Sequence, residues 1–152
     1  YTSVAARLPP QVQRSLRLGG LTPPEGEQEH YAKAFPSMLR MLAALHQAGV
    51  PIVPGTDGLP GFALLRELEL YEAAGIPRAD ILRMATLGSA EVNRRSHELG
   101  LIAPGWMADL ILVDGDPLES ISALRKVTRV VKDGVSYLPA ELYSTVGVSP
   151  AP

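Results

Sequence analysis

The chain reads as an α/β fold, and three observations carry that reading. A helical stripe of apolar residues over 30–47 leads into the short apolar run Val50-Pro51-Ile52-Val53, and a second helical pattern follows over 61–74. Helix, strand, helix in this order is the pattern of a parallel α/β unit. From Gly100 onward the pattern changes to short β-rich runs, two of which flank Asp133-Gly134. An Asp-Gly pair between such runs is among the strongest short-range signals for a hairpin.

Residues 1–29 are punctuated by Pro9-Pro10, Gly19-Gly20 and Pro23-Pro24, and Glu25, Glu27 and Glu29 add charge. This predicts a long loop with a short helix from about Gln11 to Leu18. From His30 to Gln47, Tyr31, Phe35, Met38, Leu42 and Leu45 fall on one helical stripe, with Pro36 either starting or kinking the helix. Gly49 is the expected stop, Val50 to Val53 the expected strand, and Gly55-Thr56-Asp57-Gly58 the turn after it. A helix from about Gly61 to Ala74 carries Leu64, Leu65, Leu68 and Tyr71 on its apolar face, and Gly75 and Pro77 end it. Two further helices are expected over Arg78 to Ala85 and Ser89 to Arg95.

In the second part, Asp109 to Val113 is predicted as a strand and Ser120 to Leu124 as one helical turn. Val127 to Lys132 and Val135 to Leu138 are predicted as the two arms of the hairpin. The tail after Pro139 is weakly patterned. The β part is too small to hold its own core and is expected to complete a sheet made elsewhere.

With 152 residues, 46% hydrophobic and 20% charged, the chain has the composition of a soluble globular protein. A net charge of -2 gives no basic footprint, so nucleic acid is not an expected partner. The absence of Cys excludes disulfides, thiolate ligands and thiol nucleophiles. No apolar run approaches the roughly 20 residues needed to cross a bilayer, so no membrane partner is expected. The cytoplasm is the favoured compartment. The chain opens on Tyr1 rather than Met, which reads as a fragment or a processed piece.

Asp57 is the residue of most chemical interest. A carboxylate at the C-terminal mouth of a buried parallel strand is well placed to face a substrate. Spacing alone leaves open the plainer role of capping the turn or helix that follows.

The run from His46 to Asp57, His-Gln-Ala-Gly-Val-Pro-Ile-Val-Pro-Gly-Thr-Asp, resembles the eighth strand of the amidohydrolase superfamily. The branch it resembles is that of imidazolonepropionase-like and Xaa-Pro dipeptidase-like metal-dependent hydrolases. The resemblance continues through Arg66-Glu67-Leu68-Glu69-Leu70, Ala73-Ala74-Gly75-Ile76-Pro77, Ile81 to Thr86 and Ser89-Ala90. It then runs through Leu99-Gly100-Leu101-Ile102, Pro104-Gly105, Ala108 to Val113, Asp116-Pro117-Leu118 and Val130 to Gly134. Each piece is weak by itself; their order and spacing together are specific.

The resemblance implies the C-terminal portion of a metal-dependent-hydrolase (β/α)8 TIM barrel, plus strands of a small composite β-sandwich. Residues 1–99 would supply the loop after strand 7, helix 7, strand 8 and the closing helices. Residues 100–138 would supply C-terminal strands of the sandwich, and 139–152 a tail. The implied cofactor is a divalent metal, zinc first, as one or two ions. Asp57 would be both metal ligand and catalytic proton shuttle in hydrolysis of a C–N bond in an amide, cyclic amide or dipeptide. A metal lowers the pKa of bound water toward roughly 7, and a neighbouring carboxylate can take the proton and pass it to the leaving amine. Gly58, Leu59 and Phe62, directly after Asp57, are the substrate-contacting candidates.

Two departures from the family pattern stand out. The chain has no His-x-His pair, nor the strand-borne Lys and two further His that complete such a metal site. These would belong to an upstream part of the same enzyme, which becomes an expected partner alongside the small-molecule substrate; a homo-oligomer is also allowed. After Pro104-Gly105, where Lys or Arg is common, the chain has Trp106-Met107.

His30, His46 and His97 do not pair at ligand spacing and read as helix-terminal or surface residues. Glu67, Glu69, Arg94 and Arg95 read as solvated, and Asp109 resembles a structural position. The competing, non-enzymatic reading is an interaction subunit that pairs with a separate barrel chain.

Overall fold

Among the residues that the computed structural model describes, 5–17, 22–57 and 61–149, the first element is a short helix, α1, at Pro10–Arg17. Helix α2 follows at Gln28–Gln47 and contains Pro36 within it rather than at its start. None of its residues is buried. Leu42 packs against the core, while Phe35 and Met38 of the same stripe are 48% and 60% exposed.

The run after α2 does not form the expected strand. A parallel strand exists only through its hydrogen-bond ladder to neighbours, and the strands among the described residues all belong to one antiparallel sheet further along the chain. Ile52 still packs on the core, while Val50 and Val53 are exposed.

Helix α3 spans Ala63–Ala73 and buries Ala63, Leu68 and Tyr71. Helix α4, Arg78–Arg83, does not break before the next segment. It widens into a π turn at Met84–Gly88 and continues as the single turn α5, Ser89–Val92. Hydroxyls take up carbonyls where the ladder shifts: Ser89 Oγ donates to the Met84 carbonyl and Thr86 Oγ1 to the Leu82 carbonyl, each at 2.7 Å. Arg94, at φ 58, closes the run, and the Arg95 N–H returns to the Ala90 carbonyl at 2.8 Å in a Schellman-type finish.

The β part is a three-stranded antiparallel sheet of β1 (Leu110–Val113), β2 (Val127–Lys132) and β3 (Val135–Tyr137), in that order. The register pairs Ile111 with Val130 and Val131 with Ser136, and a bulge falls between Leu112 and Val113. The hairpin turn is the expected one. Asp133 and Gly134 both have positive φ, 50 and 76, as a type I′ turn requires. Asp109 fixes this turn from across the sheet. Its carboxylate accepts the Asp133 N–H at 2.7 Å and the Lys132 ammonium at 2.5 Å. Those contacts, Lys132 first, hold its pKa below the usual carboxylate value.

A single-turn 3₁₀ segment, Ile121–Arg125, joins β1 to β2. The expected patternless tail instead contains a helix, α6, at Pro139–Thr145. Pro at its first position and the Glu141 carboxylate accepting the Leu138 N–H at 3.0 Å supply its start.

Leu68 and Tyr71 of α3, Ile76, Ile81 of α4, and Ile121 and Leu124 of the 3₁₀ segment form the main core. Ile81 and Ile121 are 0% and 1% exposed. Beside this core, Glu69 accepts Arg125 Nε at 2.6 Å, Arg125 Nη2 at 3.0 Å and Ser122 Oγ at 2.9 Å. Arg66 of the same helix adds a contact at 3.3 Å. The expectation of a solvated Glu69 is therefore corrected: its side chain is 13% exposed and ties α3 to the β part. Glu67 accepts the Tyr71 hydroxyl at 2.9 Å. Burial and that carboxylate hold the Tyr71 phenol well above its usual pKa.

Gly100 marks the passage between the two parts. At φ +90, a Cβ there would sit 2.7 Å from Leu87 Cα and 3.0 Å from Ala90 Cβ. Both the left-handed backbone and the close approach to the π turn exclude a side chain. Gly100→Ala should therefore lose about 2 kcal/mol or more of stability, read as a drop in the urea midpoint at unchanged m-value.

Glu69 generates a pH dependence. Arg125 chiefly lowers its pKa from 4.5 to about 2. The stabilisation is therefore complete above the unfolded value and is lost as pH falls from about 4.5 toward 2. Glu69→Gln should flatten the acid limb of the stability curve over that window, measured by denaturant melts at stepped pH.

Candidate functional site

Helix α2 and α3 bracket the candidate site. The α2 helix stops at Gly49, the chain runs through Val50 to Val53 without a ladder, and the small residues Gly55 and Thr56 lead to Asp57. Asp57 is exposed, with its carboxylate on the side of the chain from which α3 starts. Gly58 and Leu59 lie outside the described residues. Phe62, five positions after Asp57 and immediately before α3, is 6% exposed. Its ring is taken up by a small second core with Leu8 and Val148, flanked by Val12 and Tyr143. The ring that sequence reasoning aims at substrate is thus engaged in packing, which anchors the segment after Asp57.

The Phe62 and Tyr143 rings stack at 5.7 Å between centroids and 22° between planes. The Arg7 guanidinium lies over both, 5.0 Å from the Tyr143 ring and 5.5 Å from the Phe62 ring. The N-terminal segment, the segment after Asp57 and the C-terminal segment therefore meet at one point. Nothing in the local sequence signals this. Arg7 and Tyr143 are more than a hundred residues apart, and no short-range pattern couples them.

A cavity of about 320 Å³ opens at the start of the apolar run, not at its end. Its lining includes His46, Val50, Val53, Asp80, Arg83 and Glu91. Asp57 does not line it. His46, in the last turn of α2, points Nε2 at Asp80 Oδ2 at 3.3 Å, and Arg83 reaches Glu91 across the π turn at 3.4 Å. These are ties between elements, as expected for a helix-terminal His. His30 and His97 are exposed.

Among the described residues no group of three or more His, Asp or Glu converges in a way that could hold a metal ion. Asp57 by itself is too small a donor set, since protein metal sites use at least three side-chain ligands in the common catalytic arrangements. The chain alone does not fit a metal. No helix among the described residues is long and apolar enough to cross a membrane.

A sequence profile of the Amidohydrolase family matches residues 29–136. The adenine deaminase of Serratia proteamaculans is 35% identical over 86 residues, which are 53% of this chain and 14% of that protein. The 5-methylthioadenosine/S-adenosylhomocysteine deaminase of Teredinibacter turnerae is 32% identical over 101 residues, 59% of this chain and 23% of that protein. Among solved structures, a Xaa-Pro dipeptidase with methionine bound in its active site superposes with a TM-score of 0.64 at 33% identity. The superposition covers 68% of this chain and 26% of the dipeptidase. The chain thus spans about a quarter or less of the length of these relatives.

Proposed function

We propose, from the premise that this chain belongs to the amidohydrolase family, that it supplies Asp57 to a metal-dependent hydrolase that cleaves C–N bonds in small amide or peptide substrates. One observation carries the reading: the apolar run, the small-residue turn and Asp57 stand in order inside the matched span 29–136. The deaminases and the dipeptidase it resembles have names that imply one reaction type, release of an amine or ammonia by water.

In this reading residues 1–99 contribute the last helix–strand unit and the closing helices of a (β/α)8 barrel. Residues 100–138 contribute strands of a β-sandwich, and the rest of both comes from outside the 152 residues. Two features support a missing neighbour. Val50 and Val53 are exposed on a run with no ladder, and Tyr31, Phe35, Met38 and Met41 of α2 are exposed together. The remaining metal donors would come from the same outside segment. A divalent metal, zinc in first place, would supply Lewis-acid activation of water when bound.

The chain's own contribution is the carboxylate. Exposed at the end of its run, Asp57 can accept a proton from water at one oxygen and return it to the leaving nitrogen. Gly58 and Leu59 are proposed to line the substrate side of the same turn, with Phe62 holding that turn in place. The non-catalytic alternative, pairing with a separate barrel chain, draws on the same exposed apolar residues of α2.

Asp57→Asn in the complete enzyme should lower kcat by about 10²–10⁴-fold while thermal unfolding stays unchanged. Activity within threefold of wild type would overturn the role. The isolated 152-residue chain, purified without chelator, should carry well under one equivalent of zinc by plasma mass spectrometry. A full equivalent would place the metal donors within these residues.

A further inference from the structure

Arg7 and Ser149 are joined twice. The Ser149 N–H donates to the Arg7 carbonyl at 2.9 Å, and Arg7 Nε donates to the Ser149 carbonyl at 2.8 Å. Between them, α6 presents Tyr143 to the Phe62 ring, and Arg7 lies over both rings. Leu8, Phe62 and Val148 are each buried to within 9% exposure. The two terminal segments of the described chain therefore close over the residue that begins α3.

Arg7 pays for this place. Its Nη2 is buried and has no hydrogen-bond partner, and no carboxylate pairs with it among the described residues. A cation left without its full complement of acceptors is not what optimal stability selects. The rings and Ser149 hold it there, and its position serves the stack.

We propose that Arg7, Phe62 and Tyr143 form a latch through which the terminal segments set the position of Asp57, making Arg7 and Tyr143 positioning residues for the reaction. The proposal rests on the reading of Asp57 given above. Phe62 follows Asp57 by five residues, a span of at most about 17 Å. A shift of Phe62 is therefore passed on to a carboxylate whose placement governs rate. Misplacement of about 1 Å at a reacting group can cost about 10²-fold. The latch would act on kcat rather than on substrate affinity, because neither ring faces the substrate.

The test has two arms. In the 152-residue chain, hydrogen exchange is followed by mass spectrometry over residues 61–66 for Tyr143→Ala, Arg7→Gln and the conservative Tyr143→Phe. In the complete enzyme, kcat and KM are measured for the same variants and for Asp57→Asn. Tyr143→Ala and Arg7→Gln should speed exchange over 61–66 at least tenfold and lower kcat at least tenfold, with KM within twofold of wild type. Tyr143→Phe keeps the ring and should stay within twofold in both arms. Should Tyr143→Ala fail to fold, Arg7→Gln alone decides, since it leaves the apolar cluster whole. Unchanged exchange, or faster exchange at unchanged kcat, overturns the latch while Asp57→Asn still tests the catalytic role separately. An active Asp57→Asn enzyme overturns both.

Discussion

Glu69 is the constraint on which the two parts of this molecule depend. It accepts both nitrogens of Arg125 and the Ser122 hydroxyl from one side, and Arg66 from its own helix. Without that node, α3 and the 3₁₀ segment would meet only through apolar contacts between Leu68, Tyr71, Ile121 and Leu124. Apolar contacts are non-directional. A carboxylate gripped in fork geometry is directional, so it fixes the rotation of one element on the other. The core supplies the attraction and Glu69 supplies the register.

A second joint works on the same logic at smaller scale. The Phe62–Tyr143 stack and the Arg7 guanidinium bring together segments that share no sequence pattern. Here the directional element is the pair of backbone-level bonds between Arg7 and Ser149. The first joint holds the fold, and the second lies next to the chemistry. Between them, α3 is anchored in its middle by Glu69 and at its start by Phe62, and Asp57 is suspended from that start.

The rest of the surface shows what such a scaffold leaves unmet. The α2 helix has the amphipathic spacing of a packed helix, yet none of its residues is buried. The run Val50 to Val53 has the composition of an interior strand but no ladder. Both are consistent with elements shaped for neighbours that the 152 residues do not contain. The family match and the small share of its relatives' length that the chain covers give the same picture.

Local physics was legible from the residues alone. Helical spacing located α2 and α3, Gly49 and Gly75 ended them, and Asp133-Gly134 announced its I′ hairpin, because each depends on neighbours a few positions away. The order of apolar run, turn and Asp57 was legible too, and with it the family. The strand at Val50 was not realised, since a strand needs a partner that periodicity cannot supply. The π turn joining α4 to α5, the helix in the tail, the closure of Glu69 by Arg125 and the meeting of Arg7, Phe62 and Tyr143 were decided only in three dimensions. Each of the last two joins residues separated by more than fifty positions. At that distance along the chain, only the packing of the whole determines which side chains meet.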